Sequence, residues 1–149
     1  MNTKRFIAIC AFLLPIVCTG QNIDIKLDCQ LSLTKQFKSG TVTKETINEI
    51  FEVVQYNEAI VIRATSNTGN LGSVTTVKNP DILSFSNTSD KNRWSLETVF
   101  KTQNGYSNKV SISIDRNTGS IFYTANYEGG VIDEGKGTCK KIDTTKKLF

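Results

Sequence analysis

No histidine occurs among the 149 residues of this chain. Its absence removes the usual general base at neutral pH and the commonest protein metal ligand, and it rules out a Ser-His-Asp triad. Cysteine is sparse: Cys10 and Cys18 lie in an N-terminal apolar stretch, and only Cys29 and Cys139 remain beyond it. Two distant thiols without histidine do not make a zinc site, so no metal is expected. No glycine loop opens a helix pattern in the way a phosphate-binding loop does; Gly129, Gly130, Gly135 and Gly137 stand in strand context, and no cofactor is implied. Arginines are not clustered or interleaved with aromatics, so nucleic acid is not an expected partner. Pro80 is the one proline beyond residue 20.

The longest apolar run, Phe6 to Val17, falls short of the roughly twenty residues a spanning helix needs. Lys4 and Arg5 precede it, and Cys18-Thr19-Gly20 follows with small residues at the positions before a cut. This is the layout of a signal peptide, with cleavage expected after Gly20. Residues 21–149 are then a single exported domain, periplasmic or secreted. A lipid-anchored start at Cys18 is the alternative; the Pro15-Ile16-Val17 that precedes it fits that pattern poorly. The remaining chain is near neutrality, at about +2 (18 basic residues less Lys4 and Arg5, against 14 acidic). The excess gathers late, at Lys136, Lys140, Lys141, Lys146 and Lys147, and reads as a solvated tail.

What is present is the composition of strands and polar turns: Thr, Ser, Asn, Val and Ile. Residues 23–33 alternate strictly, with Ile23, Ile25, Leu27, Cys29, Leu31 and Leu33 on one face and polar residues on the other, which is a half-buried strand. Residues 46–56 carry both signals. Thr46 with Glu49 makes a capping box and Ile47, Ile50, Phe51 and Val54 keep helical spacing, while Phe51, Val53 and Val54 favour a strand, which is the reading preferred. Further strands are expected around 59–65, 71–78, 81–86, 92–101, 107–115, 120–127 and 137–142. Asn67-Thr68-Gly69, Asn104-Gly105 and Asn117-Thr118-Gly119 are hairpin turns. Trp94, Leu96 and Phe100 share a face, as do Val110, Ile112 and Ile114, and Ile121, Tyr123, Ala125 and Tyr127.

Turn signals recurring every ten residues or so predict an all-β fold, an antiparallel up-and-down meander of about eight strands. Closing the first strand onto the last would remove both exposed edges. Cys29 lies in the first strand, on its apolar face, and Cys139 in the last; a disulfide between them is expected in an oxidising compartment. The expectation is therefore a closed or nearly closed barrel, filled by side chains or holding one small ligand.

Candidate chemistry is thin, and no catalytic residue is marked. Carboxylate pairs such as Glu45 with Glu49, or Asp133 with Glu134, would suit a hydrolase, but read as solvated surface. Asp81 and Asp90 read as turn-formers. Asn87-Thr88-Ser89 matches a glycosylation sequon. Arg116 is expected to pair with Asp115 or to cap a neighbouring strand. Trp94, Tyr106, Tyr123 and Tyr127 are aromatics that could line a pocket; Trp94, Tyr123 and Tyr127 are the ligand-binding candidates, with ordinary core as the competing role.

Val110 to Gly119, which contains Ile114-Asp115-Arg116-Asn117-Thr118-Gly119, together with Gly137-Thr138-Cys139-Lys140 and the terminal Leu148-Phe149, resembles a pattern in small exported proteins of proteobacteria. In these a leader precedes a β-rich domain with an Ile-Asp-Arg-x-Thr-Gly turn and a late Gly-x-Cys. The resemblance covers about forty residues and implies export and a β fold; its motifs are structural and imply no activity. The functional expectation is a monomeric, non-enzymatic binding module, with a small ligand or an envelope protein as partner. The alternatives are an envelope-associated accessory or inhibitor of another protein, and a carboxylate-based hydrolase.

Overall fold

The computed structural model describes residues 23–56, 59–65, 71, 74–77 and 80–143. The expected leader (1–20), its cleavage site, the Asn67-Thr68-Gly69 turn and Lys146 and Lys147 lie outside them. Nine strands form one antiparallel sheet: β1 (Ile23–Gln36), β2 (Val42–Tyr56), β3 (Ala59–Ala64), β4 (Val74–Thr75), β5 (Ile82–Asn87), β6 (Arg93–Lys101), β7 (Ser107–Asp115), β8 (Ser120–Tyr127) and β9 (Val131–Lys141). Their order across the sheet is β4-β3-β2-β1-β9-β8-β7-β6-β5. The sheet rolls into a nearly closed barrel.

The first and last strands are neighbours, as their cysteines predict. β1 and β9 pair from Leu27↔Lys141 to Gln36↔Ile132. Cys29 stands directly opposite Cys139 in that register, and the two are joined by a disulfide. The open seam lies instead in mid-sequence, between β4 and β5. Parity explains it. Every neighbouring pair in the order above is antiparallel, so the two end strands of a nine-membered row point the same way. They could be joined only as a parallel pair, which needs a long crossover, and only residues 76–81 connect them.

The β4 edge is sealed in another way. The Thr75 backbone N–H donates to Thr98 Oγ1 (2.9 Å), and the Thr98 hydroxyl donates to the Thr75 carbonyl (2.8 Å). One inward-facing hydroxyl on β6 thus satisfies both free backbone groups of Thr75, groups that cost about 1–3 kcal/mol each when buried without a partner. β5 has no such cover. Among the described residues no strand pairs with its outer edge, and Leu83 (56% exposed) and Phe85 (39%) face solvent.

Side chains from every strand except β5 meet in one core. Leu27, Leu31 and Leu33 from β1, Phe51 and Val53 from β2, Ile62, Val74, Trp94, Leu96, Val110, Ile112, Ile114 and Tyr123 are all buried there with the disulfide. The segment 46–56 is strand: Ile47, Phe51 and Val53 alternate inward, because β1 on one side and β3 on the other supply its hydrogen-bond partners. β9 starts at Val131, earlier than the expected 137, since the turn at Gly129 and Gly130 closes a tight hairpin with β8. Its inward face carries Asp133, Gly135, Gly137 and Cys139, which leaves room for Leu31, Leu33 and the Tyr123 Cβ over Gly135.

The two ends of the barrel

Strand polarity places the β2–β3, β5–β6 and β7–β8 turns at one end and the β1–β2, β6–β7 and β8–β9 turns at the other. The two ends differ in chemistry. At the β1–β2 end the inward positions carry Lys35, Glu45, Tyr127 and Asp133. Lys35 Nζ pairs with Glu45 Oε1 at 2.9 Å and stands opposite Asp133 in the β1–β9 register. Asp133 is only 4% exposed, and its Oδ1 has no hydrogen-bond partner among the described residues. Burial pushes its carboxyl above the ordinary range; Lys35 opposes the shift and Glu45 adds to it. Burial also raises the Tyr127 hydroxyl, with the Asp133 charge adding to it and a hydrogen bond with Tyr123 opposing.

Two readings of acids as solvated surface are corrected by the fold. Glu49 is 1% exposed and Asp133 is 4% exposed. Both occupy inward phases of their strands: Glu49 lies between Ile47 and Phe51, opposite Cys29, and accepts from the Ile50 backbone N–H at 3.2 Å. Glu45 and Glu134 are exposed. A hydrolytic pair would need two acids facing each other across a cleft, whereas Lys35 on the intervening strand lies between Glu45 and Asp133.

The raised Asp133 carboxyl has a stability consequence with a defined sign. The native group titrates above its ordinary 3.8, so between the two values the native state holds more protons than the unfolded chain. Stability then falls as pH rises through that window. Asp133→Asn is expected to flatten this slope and to be more stable than the parent above the window, measured by urea unfolding from about pH 4 to about pH 7. A variant less stable than the parent at neutral pH would show that the charge is worth more than its burial costs.

Candidate functional site

At the opposite end two adjoining cavities open around Trp94, the only tryptophan of the chain. The larger, about 860 Å³, is an open cleft lined among others by Ile60, Thr76, Phe85, Asn87, Trp94 and Arg116. The smaller, about 340 Å³, shares Trp94 and Arg116 and reaches Gly119, Cys139 and Lys141. The indole is 4% exposed, and its buried N–H has no partner among the described residues. The Arg116 guanidinium lies over the ring, with Cζ 4.7 Å from the centroid, a cation–π arrangement that holds an otherwise flexible side chain in place. Arg116 thus stacks on Trp94 instead of pairing with its neighbour Asp115, and Nη1 reaches back to the Asp90 carbonyl at 3.5 Å.

Two turns build this mouth, and each is set by an aspartate. Asp90 Oδ1 accepts from the backbone N–H of Asn92 (2.7 Å) and Arg93 (2.9 Å), as its reading as a turn-former requires. Asp115 Oδ1 accepts from Thr118 (2.8 Å) and Asn117 (2.9 Å), and these bonds hold its carboxyl below the ordinary range. Gly119 closes the second turn with φ +73°, where a Cβ would sit 2.3 Å from the Cys139 carbonyl oxygen. The two turns are also joined: the Arg116 backbone N–H donates to the Asn92 carbonyl at 2.7 Å.

Of the three ligand-binding candidates, the structure brings only Trp94 to this mouth. Tyr123 is 0% exposed and belongs to the core, while Tyr127 lies at the other end beside Asp133. No family model, no curated protein and no solved structure matches this chain. The mouth therefore has to be read on its own chemistry. Arg116, Phe85, Asn87 and Lys91 are its unforeseen members; the signal that could have found Arg116 is its place two residues past Ile114, on the same inward phase as Ile112 and Ile114. Among the described residues, none forms a group of three or more metal-ligating side chains, and no helix is long and apolar enough to cross a membrane.

Proposed function

We propose that this chain is an exported, non-enzymatic binding module that takes a small ligand at one end of its barrel. One observation carries the reading: a cleft of about 860 Å³, within the roughly 300–1,000 Å³ of small-molecule sites, opens beside the continuous core of buried side chains. On this reading the ligand sits at the mouth, where Trp94 lines the cleft. Export rests on the leader pattern of residues 1–20, on the resemblance to exported β-rich proteins, and on a disulfide that suits an oxidising compartment.

Native mass spectrometry of the protein purified from the cell envelope tests this. The expected result is a mature start at Gln21, an intact disulfide and a bound small molecule. Ala59→Phe, which fills the cleft from the start of β3, is expected to lose the bound species. Retention of the same species by that variant would place the ligand elsewhere. A start at lipid-bearing Cys18 would favour the envelope-anchored alternative. A second reading, contact with another protein, is favoured by the unpaired β5 edge with Leu83 and Phe85 exposed along it; charge substitution at Leu83 that abolishes a cross-link to an envelope protein would support it.

A further inference from the structure

We infer that the ligand of the Trp94 mouth is an organic anion, its carboxylate or phosphate held by Arg116 and its flat or apolar body lying toward Phe85 and Ile60. The inference rests on the cleft reading above and adds the ligand's chemistry. Its basis is an imbalance of charge and of hydrogen-bonding capacity at this one end.

Arg116 and Lys91 line the larger cleft, and Arg116 and Lys141 line the smaller. None of the three has a carboxylate partner within ion-pair distance among the described residues; the ion pairs there join Lys26 and Arg63 to Glu52, Lys35 to Glu45, and Lys109 to Glu97. The two acids of the mouth each have one carboxylate oxygen committed. Asp90 and Asp115 each spend their Oδ1 on two backbone N–H groups of their own turns, and Asp115 has the Arg93 charge near it. Three cations, Lys91, Arg116 and Lys141, thus line the two cavities with two acids, Asp90 and Asp115.

Arg116 is also prepared for the task. Its stacking on Trp94 fixes the guanidinium between the two cavities, and its one side-chain hydrogen bond among the described residues is the 3.5 Å contact with Asp90, at the outer limit for such a bond. The rest of its donor fork is left for a planar or tetrahedral anion, which arginine binds bidentately. Aromatic and aliphatic surface lines the same cleft: Phe85 is 39% exposed, and Ile60 is part of the lining. A bare inorganic ion would leave that surface unused.

The sole tryptophan makes the test direct, since its emission reports this site alone. Benzoate, phenyl phosphate and the neutral benzamide are titrated against the full chain, with emission and melting temperature as readouts. Benzoate or phenyl phosphate is expected to bind at least about tenfold more tightly than benzamide, and more weakly as salt rises. Whichever anion binds better identifies a carboxylate or a phosphate as the natural group. Arg116→Gln is expected to erase the preference for the anion, and Arg116→Lys to retain some of it, because charge remains while the fork is lost. Equal binding of benzamide and both anions, or an undiminished preference in Arg116→Gln, would overturn the anion assignment and leave the cleft reading standing. No response to any of the three probes would overturn both.

Discussion

The Cys29→Ala/Cys139→Ala double variant is expected to lose about 2–4 kcal/mol of stability. The bond joins residues 110 apart in sequence, so reduction frees nearly the whole domain in the unfolded state. Loop-closure entropy alone gives about 4.7 kcal/mol for a loop of that size, an upper figure that native proteins seldom reach. The native side of the balance changes little. β1 and β9 stay paired through the register Leu27↔Lys141 to Gln36↔Ile132, and two alanines in place of Cys29 and Cys139, 0% and 8% exposed, leave a small void. Urea unfolding with and without reductant checks this. Reductant should shift the parent to the midpoint of the double variant and leave that variant unmoved. An unchanged midpoint in the reduced parent would mean that the strand pairing already constrains the unfolded chain.

Gly137→Ala is expected to lose stability on a similar scale, in the upper part of the roughly 1–3 kcal/mol that overpacking costs or above it. A Cβ on Gly137 would sit 1.9 Å from the Gln30 carbonyl oxygen, 2.8 Å from the Gln30 carbonyl carbon and 2.9 Å from Leu31 Cα. These are backbone atoms of the paired strand, so no change of rotamer relieves the contact. β1 and β9 would have to move apart close to the disulfide that pins them, since Cys139 follows Gly137 on the same inward face. Low soluble yield, a lowered melting temperature and a raised fraction of free thiols are the expected readouts. Gly129→Ala is the control, because nothing lies within 4 Å of its Cβ position; it should melt close to the parent. Equal melting of the two variants would show that the strands are not in such close approach.

Much of this architecture is legible without coordinates. Strict alternation over residues 23–33 predicts both the strand and its wet face, since side chains on a strand point alternately to opposite sides. Asn-Thr-Gly at 117–119 predicts a turn with glycine at positive φ, and Gly119 has φ +73°. Cys29 on the apolar face, with one other cysteine in the last strand, predicts the pairing that joins the two. These are local rules or a rule of elimination, and neither depends on how the sheet curls.

The buried acids show where local rules end. Glu49 and Asp133 look like surface residues because charge favours water, yet their strand phases turn them inward. Whether an inward acid is tolerated depends on what surrounds it: Lys35 opposite Asp133 in the β1–β9 register, and the N–H of the next residue, Ile50, against Glu49. The glycines of β9 are similar. Gly137 stands in strand context by sequence, and its need for glycine shows only where the Gln30 backbone lies against it.

The candidate site divides in the same way. Residue type singles out Trp94, and it singles out Tyr123 and Tyr127 equally, because type and phase are shared by core and pocket residues alike. Only the folded arrangement separates them, since Tyr123 is buried in the core and Tyr127 lies at the far end. Residue chemistry and period-two patterning along the chain were enough to establish an all-β meander with joined ends and no histidine-based chemistry. The position of the seam at β4 and β5, the two unlike ends of the barrel and the seating of Arg116 on Trp94 came from the way the sheet rolls. Alternation is a property of each strand, whereas closure and the meeting of turns arise from twist and pairing summed over nine strands.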